Sequence, residues 1–386
     1  MASFDTIVIG LGGMGSAACL HLAGRGSRVL GLEQYGLAHD RGSSHGETRI
    51  VRRAYLGSPE LTQLLCRSYA LWDELERDSG QPLFCRTGLL YAAVGESPQI
   101  PADAARVATE RGVGIELLDP AAAAARFPGL RIPRGARAFF EPDAGYVAAE
   151  AAVEACCRLA EARGADLRFH EEVRSFGQRG RSVFVTTTRG EYQADALVVT
   201  AGPWTGRLLA DLGMPLVVQR IPQLWFPVDA RRAAAGTPCF CFEMPHGFFY
   251  GVPAVKDGRM KICGGGPRYT VDDPSCLDRA LTSADLVDVR RFIAECVPGV
   301  PPEPALMSMC MCTMTPDERF VVDRHPAHER ITFAAGFSGQ GFKLCPAVGE
   351  LLAALASHMD AAPPEPFRLR WGHQRRDSHT QQSTDR

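Results

Sequence analysis

Three glycines and one acid near the start of the chain have the types and spacing that a dinucleotide requires. In Val8-Ile9-Gly10-Leu11-Gly12-Gly13-Met14-Gly15, the glycines at 10, 12 and 15 follow a β-branched apolar run from Asp5 and precede a helix-compatible stretch, Ser16 to Gly26. In such a turn the first glycine permits the sharp bend, the second admits a pyrophosphate against the backbone, and the third lets helix and strand pack closely. Free N–H groups at the helix start, with the positive end of its dipole, face the phosphates. A second apolar strand, Arg28 to Leu32, ends at Glu33, whose carboxylate is placed to accept hydrogen bonds from an adenosine ribose and disfavours a 2′-phosphate. Gly10, Gly12, Met14, Gly15 and Glu33 are therefore candidate cofactor-binding residues. The turn alone does not choose between NAD and FAD.

Two cysteine pairs invite a test for metal, Cys239-x-Cys241 and Cys310-x-Cys312. One intervening residue is short for a zinc knuckle, and no further His or Cys follows at matching spacing. Alternation along a strand places both thiols of such a pair on one face, so no metal site is expected. The thirteen cysteines read mainly as reduced thiols, several of them buried.

A chain of 386 residues exceeds the usual limit of a single core, so two domains are expected. With 46% hydrophobic and 22% charged residues and a formal charge of -2, nothing points to a nucleic-acid or anionic-membrane partner. No apolar run has the length of a membrane span, and the N-terminus lacks a basic signal-peptide region, so a cytoplasmic location is the default expectation.

The elements that must position these residues are legible in outline. Leu61, Leu64, Leu65, Tyr69 and Trp72 recur at helical spacing, and Thr87 to Val94 reads as a strand. An alanine-rich helix is predicted from about Val147 to Arg163. The strands Asp166–His170, Ser182–Thr188 and Asp195–Gly202 extend the first sheet. Residues 221–304, rich in Pro, Phe and Gly, contain short strands such as Gly247–Gly251 and Met260–Cys263, as an antiparallel layer requires. The chain returns with Ile331–Phe337 and a final helix, Pro346 to Met359, before a polar tail that reads as disordered.

Several segments carry a more specific signal: Arg41-Gly-Ser-Ser-His45-Gly-Glu-Thr-Arg49-Ile-Val-Arg52-Arg-Ala-Tyr55, Glu141-Pro-Asp-Ala-Gly145-Tyr, Ala201-Gly-Pro-Trp204-Thr, Gly247-Phe-Phe-Tyr250-Gly, Cys310-Met-Cys-Thr-Met-Thr-Pro-Asp317-Glu-Arg-Phe320 and Ala335-Gly-Phe-Ser-Gly-Gln-Gly341-Phe-Lys343. Through them the chain resembles the monomeric sarcosine oxidase family, which includes N-methyltryptophan oxidase and pipecolate oxidase. The resemblance runs in collinear order from about residue 4 to residue 360.

The resemblance implies an α/β fold with a Rossmann-like FAD-binding domain and an inserted, mainly antiparallel β substrate domain. The FAD-binding domain is expected in three pieces, 1–85, 145–220 and 305–372, and the substrate domain in two, 86–144 and 221–304, with 373–386 as the tail. It implies FAD attached through its 8α-methyl group to Cys310, and Gly339, Gly341 and Phe342 beside the cofactor. Arg52 and Lys343 match residues that clamp the substrate carboxylate. Lys261 matches the lysine that promotes reaction with O2, with Lys256 as a rival in a turn. His45 and Arg49 match residues that favour the reduced flavin and its attachment, and Tyr250 an aromatic of the substrate pocket. The implied partners are a small secondary amino acid and O2, the product hydrogen peroxide, and the state a monomer.

Departures from the pattern bear on specificity. Gly265 stands where sarcosine oxidase has a histidine, Cys241 replaces a methionine, Cys312 a tyrosine and Arg53 a histidine. Small residues at 241, 265 and 312 are expected to enlarge or reshape the pocket for a bulkier N-methyl or cyclic amino acid. The competing readings are a dehydrogenase using another electron acceptor and a non-catalytic nucleotide-binding protein.

Overall fold

The apolar run at the N-terminus becomes strand β1 (Ser3–Ile9), buried from Thr6 onward as a central parallel strand must be. The computed structural model describes residues 3–56, 59–100, 102–229, 236–254 and 257–371, so Lys256 and the expected tail at 373–386 lie outside the described residues. Helix α1 (Gly13–Gly24) follows the glycine turn, and β2 (Val29–Leu32) returns parallel to β1 with Ile9 opposite Leu32. On its other side β1 pairs in parallel with Glu191–Val199. The sheet has eight strands. Val173–Arg179 and Ser182–Thr187 form one edge, Asp166–Arg168 lies beyond β2, and His328–Ala335 runs parallel to the end of Glu191–Val199.

Helix α1 is buried along most of its length, between the helices Ala149–Ala162 and Cys345–Ser357. Small residues make this approach possible: a Cβ placed on Gly349 would lie 2.6 Å from the Cβ of Ala17. The alanine-rich helix begins at Ala149, later than its composition alone predicts, because Gly145–Ala148 is a strand between Thr48–Val51 and Phe84–Cys85. The helical spacing around Trp72 is realised in Pro59–Ser79.

A second sheet also has eight strands among the described residues. In spatial order its strands are Leu306–Met314, Val217–Pro227, Arg259–Gly264, Gly247–Val252, Cys239–Met244, Leu89–Val94, Ala136–Glu141 and Glu116–Leu118. All its pairs are antiparallel except Cys239–Met244 with Leu89–Val94. Of its two outermost strands on one side, Leu306–Met314 falls in a segment expected to belong with the FAD-binding domain, and Val217–Pro227 straddles the expected boundary after residue 220. The two pair with each other over nine residues, with Ile221 opposite Cys310.

This sheet is two-faced, since successive side chains point to opposite sides. One face carries Leu90, Leu224, Phe226, Phe240, Phe242, Phe249, Met260 and Ile262, packed on Leu286, Val289, Phe292 and Ile293 of the helix Ser283–Cys296. Thr282 and Asp285 form a reciprocal capping box at the start of that helix. The intervening positions, among them Tyr91, Cys241, Tyr250, Lys261, Gln223, Cys310 and Cys312, belong to the other face.

The glycine turn gives a direct test. A Cβ at Gly15 would sit 1.8 Å from the carbonyl oxygen of Gly10, with no flexible atom to give way. Gly15→Ala is expected to lower the melting temperature by several degrees and strip most of the bound flavin. Gly24→Ala, where the only near atom is the tip of Arg163, should retain both; thermal unfolding and flavin absorbance per chain check the pair.

Candidate active site

A cavity of about 710 Å³ runs between the glycine turn and the polar face of the second sheet. Its size is that of a small-molecule or cofactor site. At the nucleotide end Gly10 has φ +85°, and a Cβ there would press within 2.6 Å of the Thr200 carbonyl oxygen. Gly12 caps α1 without a side chain of its own, leaving the helix N-terminus open to the cavity; the Gly13 amide donates to Ser44 Oγ at 3.0 Å. Met14 lines the same wall, whereas Gly15 lies behind it. Glu33 accepts hydrogen bonds from the Leu11 and Tyr35 amides (2.9 and 3.0 Å) and lies 3.2 Å from His39 Nε2. Burial pushes its carboxyl up, but His39 and the two amides outweigh that and hold it below its ordinary value, as an anion.

Midway along the cavity stands Cys310, a free and nearly buried thiol. Arg49, from the strand Thr48–Val51, brings Nη2 to 3.7 Å from its Sγ and also donates to the carbonyls of Ser43 (2.9 Å) and Thr48 (2.8 Å). Lys261 lies in the next layer, 2% exposed and outside the cavity wall. Its Nζ donates to the Gly46 carbonyl at 2.7 Å, the Thr48 carbonyl at 3.3 Å and Gln223 Oε1, and stands 5.0 Å from the Trp225 ring centroid. Burial, reinforced by the charge of Arg49, pulls its ammonium down to about 8. His45 is also behind the wall, with Nδ1 3.5 Å from Ser308 Oγ and a buried Nε2 that has no partner among the described residues. Burial and Arg49 pull its imidazole down to about 4.

At the far end two cations converge. Arg52, 5% exposed, donates to the Ala54 carbonyl at 2.6 Å, and its guanidinium lies 3.8 Å from the Tyr55 ring centroid and 4.6 Å from that of Tyr91. Lys343 Nζ donates to the Gln340 carbonyl at 2.8 Å and lies 5.2 Å from the Tyr55 centroid. The Lys343 carbonyl is itself held by Ser68 Oγ and Trp72 Nε1. Tyr55 thus bridges the two cations, which outweigh its burial and lower its phenol below the ordinary value. Among the described residues neither cation forms an ion pair. Buried charge without a counter-charge is costly, so this end of the cavity favours an anion.

Cys241 sits opposite Tyr250 on one neighbouring strand and Tyr91 on the other. Tyr91 stacks on Phe139 with centroids 5.3 Å apart, and its hydroxyl donates to Glu243. The space beside Cys241 is therefore partly filled by an aromatic ring. Gly265 lines the cavity through its backbone only: at φ +62°, a Cβ there would meet Asp288 and the Phe249 ring. Enlargement at 265 does not arise, because that Cβ would point towards the packed face of the sheet. Cys312 does face the cavity, near Gly339. Gly339 (φ +78°) and Gly341 form the adjacent wall, and Phe342 packs between Gly13 and Trp72. Arg53 turns away to pair with Asp143.

A cavity that begins at a dinucleotide turn and ends at two unpaired cations is a setting for a bound redox cofactor and an anionic substrate. Comparison with known proteins gives this a family. The model of the FAD dependent oxidoreductase family matches residues 5–355. The chain belongs to that family. It is similar to a monomeric sarcosine oxidase of Streptomyces avermitilis, 38% identical over 94% of this chain and 96% of the relative. It is also similar to an N-methyl-L-tryptophan oxidase of Salmonella dublin, 32% identical over 95% and 98%. Among solved structures it resembles NikD, an unusual amino acid oxidase essential for nikkomycin biosynthesis, with a TM-score of 0.82 and 25% identity over 95% and 98% of the two chains.

Sequence reasoning missed Gln223, Tyr91 and the bridging position of Tyr55. Gln223 is 1% exposed and receives hydrogen bonds from both Arg49 (3.3 Å) and Lys261. Nothing in its spacing distinguishes it from any strand glutamine; only the register beside Ser308 and Cys310 brings it inward.

His45 gives a pH test. Its folded value, about 4, lies below the ordinary 6.5, so the unfolded chain binds the extra proton between these limits. Its contribution is fully present above pH 6.5 and is lost as pH falls towards 4, by about 3 kcal/mol. His45→Gln should flatten the stability profile over that window, measured by denaturant unfolding at stepped pH.

Proposed function

We propose that the chain is an FAD-dependent oxidase of secondary amino acids, N-methyl or cyclic, that converts the C–N bond to an imine and passes the electrons to O2, giving hydrogen peroxide. The observation that carries this reading is the pair of buried, unpaired cations, Arg52 and Lys343, at the end of the cavity that starts at the dinucleotide turn. Sarcosine and N-methyltryptophan, the substrates in the relatives' names, are both secondary amino acids.

The residues present fit FAD. The N-terminus of α1, where Gly12 brings no side chain, would hold the pyrophosphate and Glu33 the ribose hydroxyls, and the glycine-lined walls leave room for a flat ring system. When bound, FAD accepts a hydride from the carbon next to nitrogen and delivers electrons to oxygen.

This chain's residues do the rest. Arg52 and Lys343 grip the substrate carboxylate, which fixes the carbon that must react. Tyr55 and Tyr91 hold the guanidinium in place and keep water from it. The substrate reacts as the free amine, and the positive surroundings of Arg52 and Lys343 favour that neutral form. The imine then takes up water: an N-methyl imine yields formaldehyde and the demethylated amino acid, while a cyclic one remains a cyclic imine. Lys261 and Arg49 supply positive charge, which stabilises negative charge developing during oxygen reduction. Cys310, with Arg49 Nη2 at 3.7 Å from its Sγ, would supply the sulfur for attachment to the 8α-methyl carbon. The similarity to a monomeric sarcosine oxidase supports a monomer.

Three measurements test the reading. In wild-type enzyme, anaerobic addition of a panel of N-methyl and cyclic amino acids should bleach the flavin, and readmitting air should yield one peroxide per turnover. Arg52→Ala should raise KM by roughly a hundredfold while leaving unfolding midpoints nearly unchanged. Equal KM values in variant and parent would remove Arg52 from the substrate site. Acid precipitation of the holoprotein should leave a yellow pellet, and Cys310→Ser a colourless one; a yellow Cys310→Ser pellet would place the attachment elsewhere.

A further inference from the structure

Lys261 reaches the cavity only through another side chain. Its ammonium has three N–H groups, and all three have acceptors in the protein: the carbonyls of Gly46 and Thr48 and the amide oxygen of Gln223. None of these acceptors is charged. Gln223, in contrast to Lys261, lines the cavity, and the same amide oxygen accepts from Arg49 Nη1 at 3.3 Å. Its Nε2 donates to the His45 carbonyl at 3.3 Å, which settles which end of the amide faces the cations. The fit is close on the other side as well: a Cβ on Gly46 would lie 2.1 Å from Gln223 Oε1, so Gly46 and Gln223 require one another.

We propose that Gln223 is a positioning residue for the oxygen reaction, a neutral acceptor that binds Lys261 and Arg49 together and keeps their combined charge uncompensated just behind the cavity wall. This rests on the reading of Lys261 given above. Two like charges sharing one acceptor repel each other, and a carboxylate in that place would hold them more tightly. It would also cancel the field that makes them useful. An amide satisfies the donors while leaving the net charge in place, and its dipole orients the ammonium towards the wall. The other groups facing Lys261 do not neutralise it. Glu150 makes no ion pair with Lys261: its carboxylate accepts from the Gly46 and Glu47 amides and acts on the ammonium only as a weaker, more distant charge, while His45 is neutral above about pH 4. The depressed affinity of Lys261 for its proton agrees with a cation held among neutral acceptors beside a second cation.

The test uses three variants of the holoenzyme, Gln223→Glu, Gln223→Leu and Lys261→Met, and two readouts. The first is the flavin absorbance of the resting enzyme against pH, without substrate, in which the ionisation of Lys261 at about 8 appears as a spectral transition that Lys261→Met abolishes. The second is reoxidation of reduced enzyme by O2 in stopped flow. A carboxylate favours the charged lysine, so Gln223→Glu should move the transition up by about one pH unit or more and slow reoxidation by roughly tenfold. Leucine removes an acceptor from the charged form, so Gln223→Leu should move the transition down. A merely structural glutamine would change melting temperature in both variants and leave the transition at its wild-type pH; that result overturns the proposal. So does wild-type reoxidation in Gln223→Glu when Lys261→Met is slow. If Lys261→Met itself reoxidises normally and retains the transition, the reading of Lys261 fails instead, and the proposal with it.

Discussion

The alternation of side chains along the second sheet is the constraint on which the site depends. One set of positions is committed to the helix Ser283–Cys296 and is almost wholly aromatic or aliphatic. The residues between them are turned to the cavity side of the sheet; the thiol, the amide and the tyrosines line the cavity, and the lysine lies just behind its wall. A shift of one residue in any of these strands would exchange the two sets and put Lys261 or Cys310 into an apolar core. Packing on the far side of the sheet therefore holds the chemistry on the near side in register.

The second constraint is electrostatic. Arg49, Arg52, Lys261 and Lys343 gather around one cavity, and among the described residues none makes an ion pair with a carboxylate. Their donors go to backbone carbonyls, to the Gln223 and Gln99 amides and to the Cys310 thiol, and three of the four cations lie over aromatic faces. Neutral partners satisfy hydrogen bonding without cancelling charge. The surface of the molecule behaves in the opposite way, with arginine after arginine paired to an acid. Charge left unbalanced in the interior is stability given up for the sake of binding and reaction.

Much of this was legible in the residues themselves. The glycine turn could be read because its parts are contiguous and each has a separate mechanical reason. Arg52, Cys310 and Lys343 could be read because they sit in segments that match a family. Tyr91 and Gln223 could not, since an aromatic or an amide in a strand carries no spacing signal and gains meaning only from its neighbours across the sheet. The strand at Gly145–Ala148 was hidden for a related reason: its pairing partners lie about sixty and a hundred residues earlier. The placement of Leu306–Met314 in the second sheet depended likewise on its long pairing with Val217–Pro227, which local pattern does not reveal.

Glu33 lies at the end of a strand in one sheet and Cys310 within a strand of the other. A cofactor gripped at both is a bivalent ligand of its own protein. With the attachment proposed at Cys310, release of the adenosine end would leave the ring system anchored, and recapture would be intramolecular, at a high effective concentration independent of free cofactor. The same two anchors would couple the sheets mechanically, since drawing one away from the other would stretch the molecule that spans them.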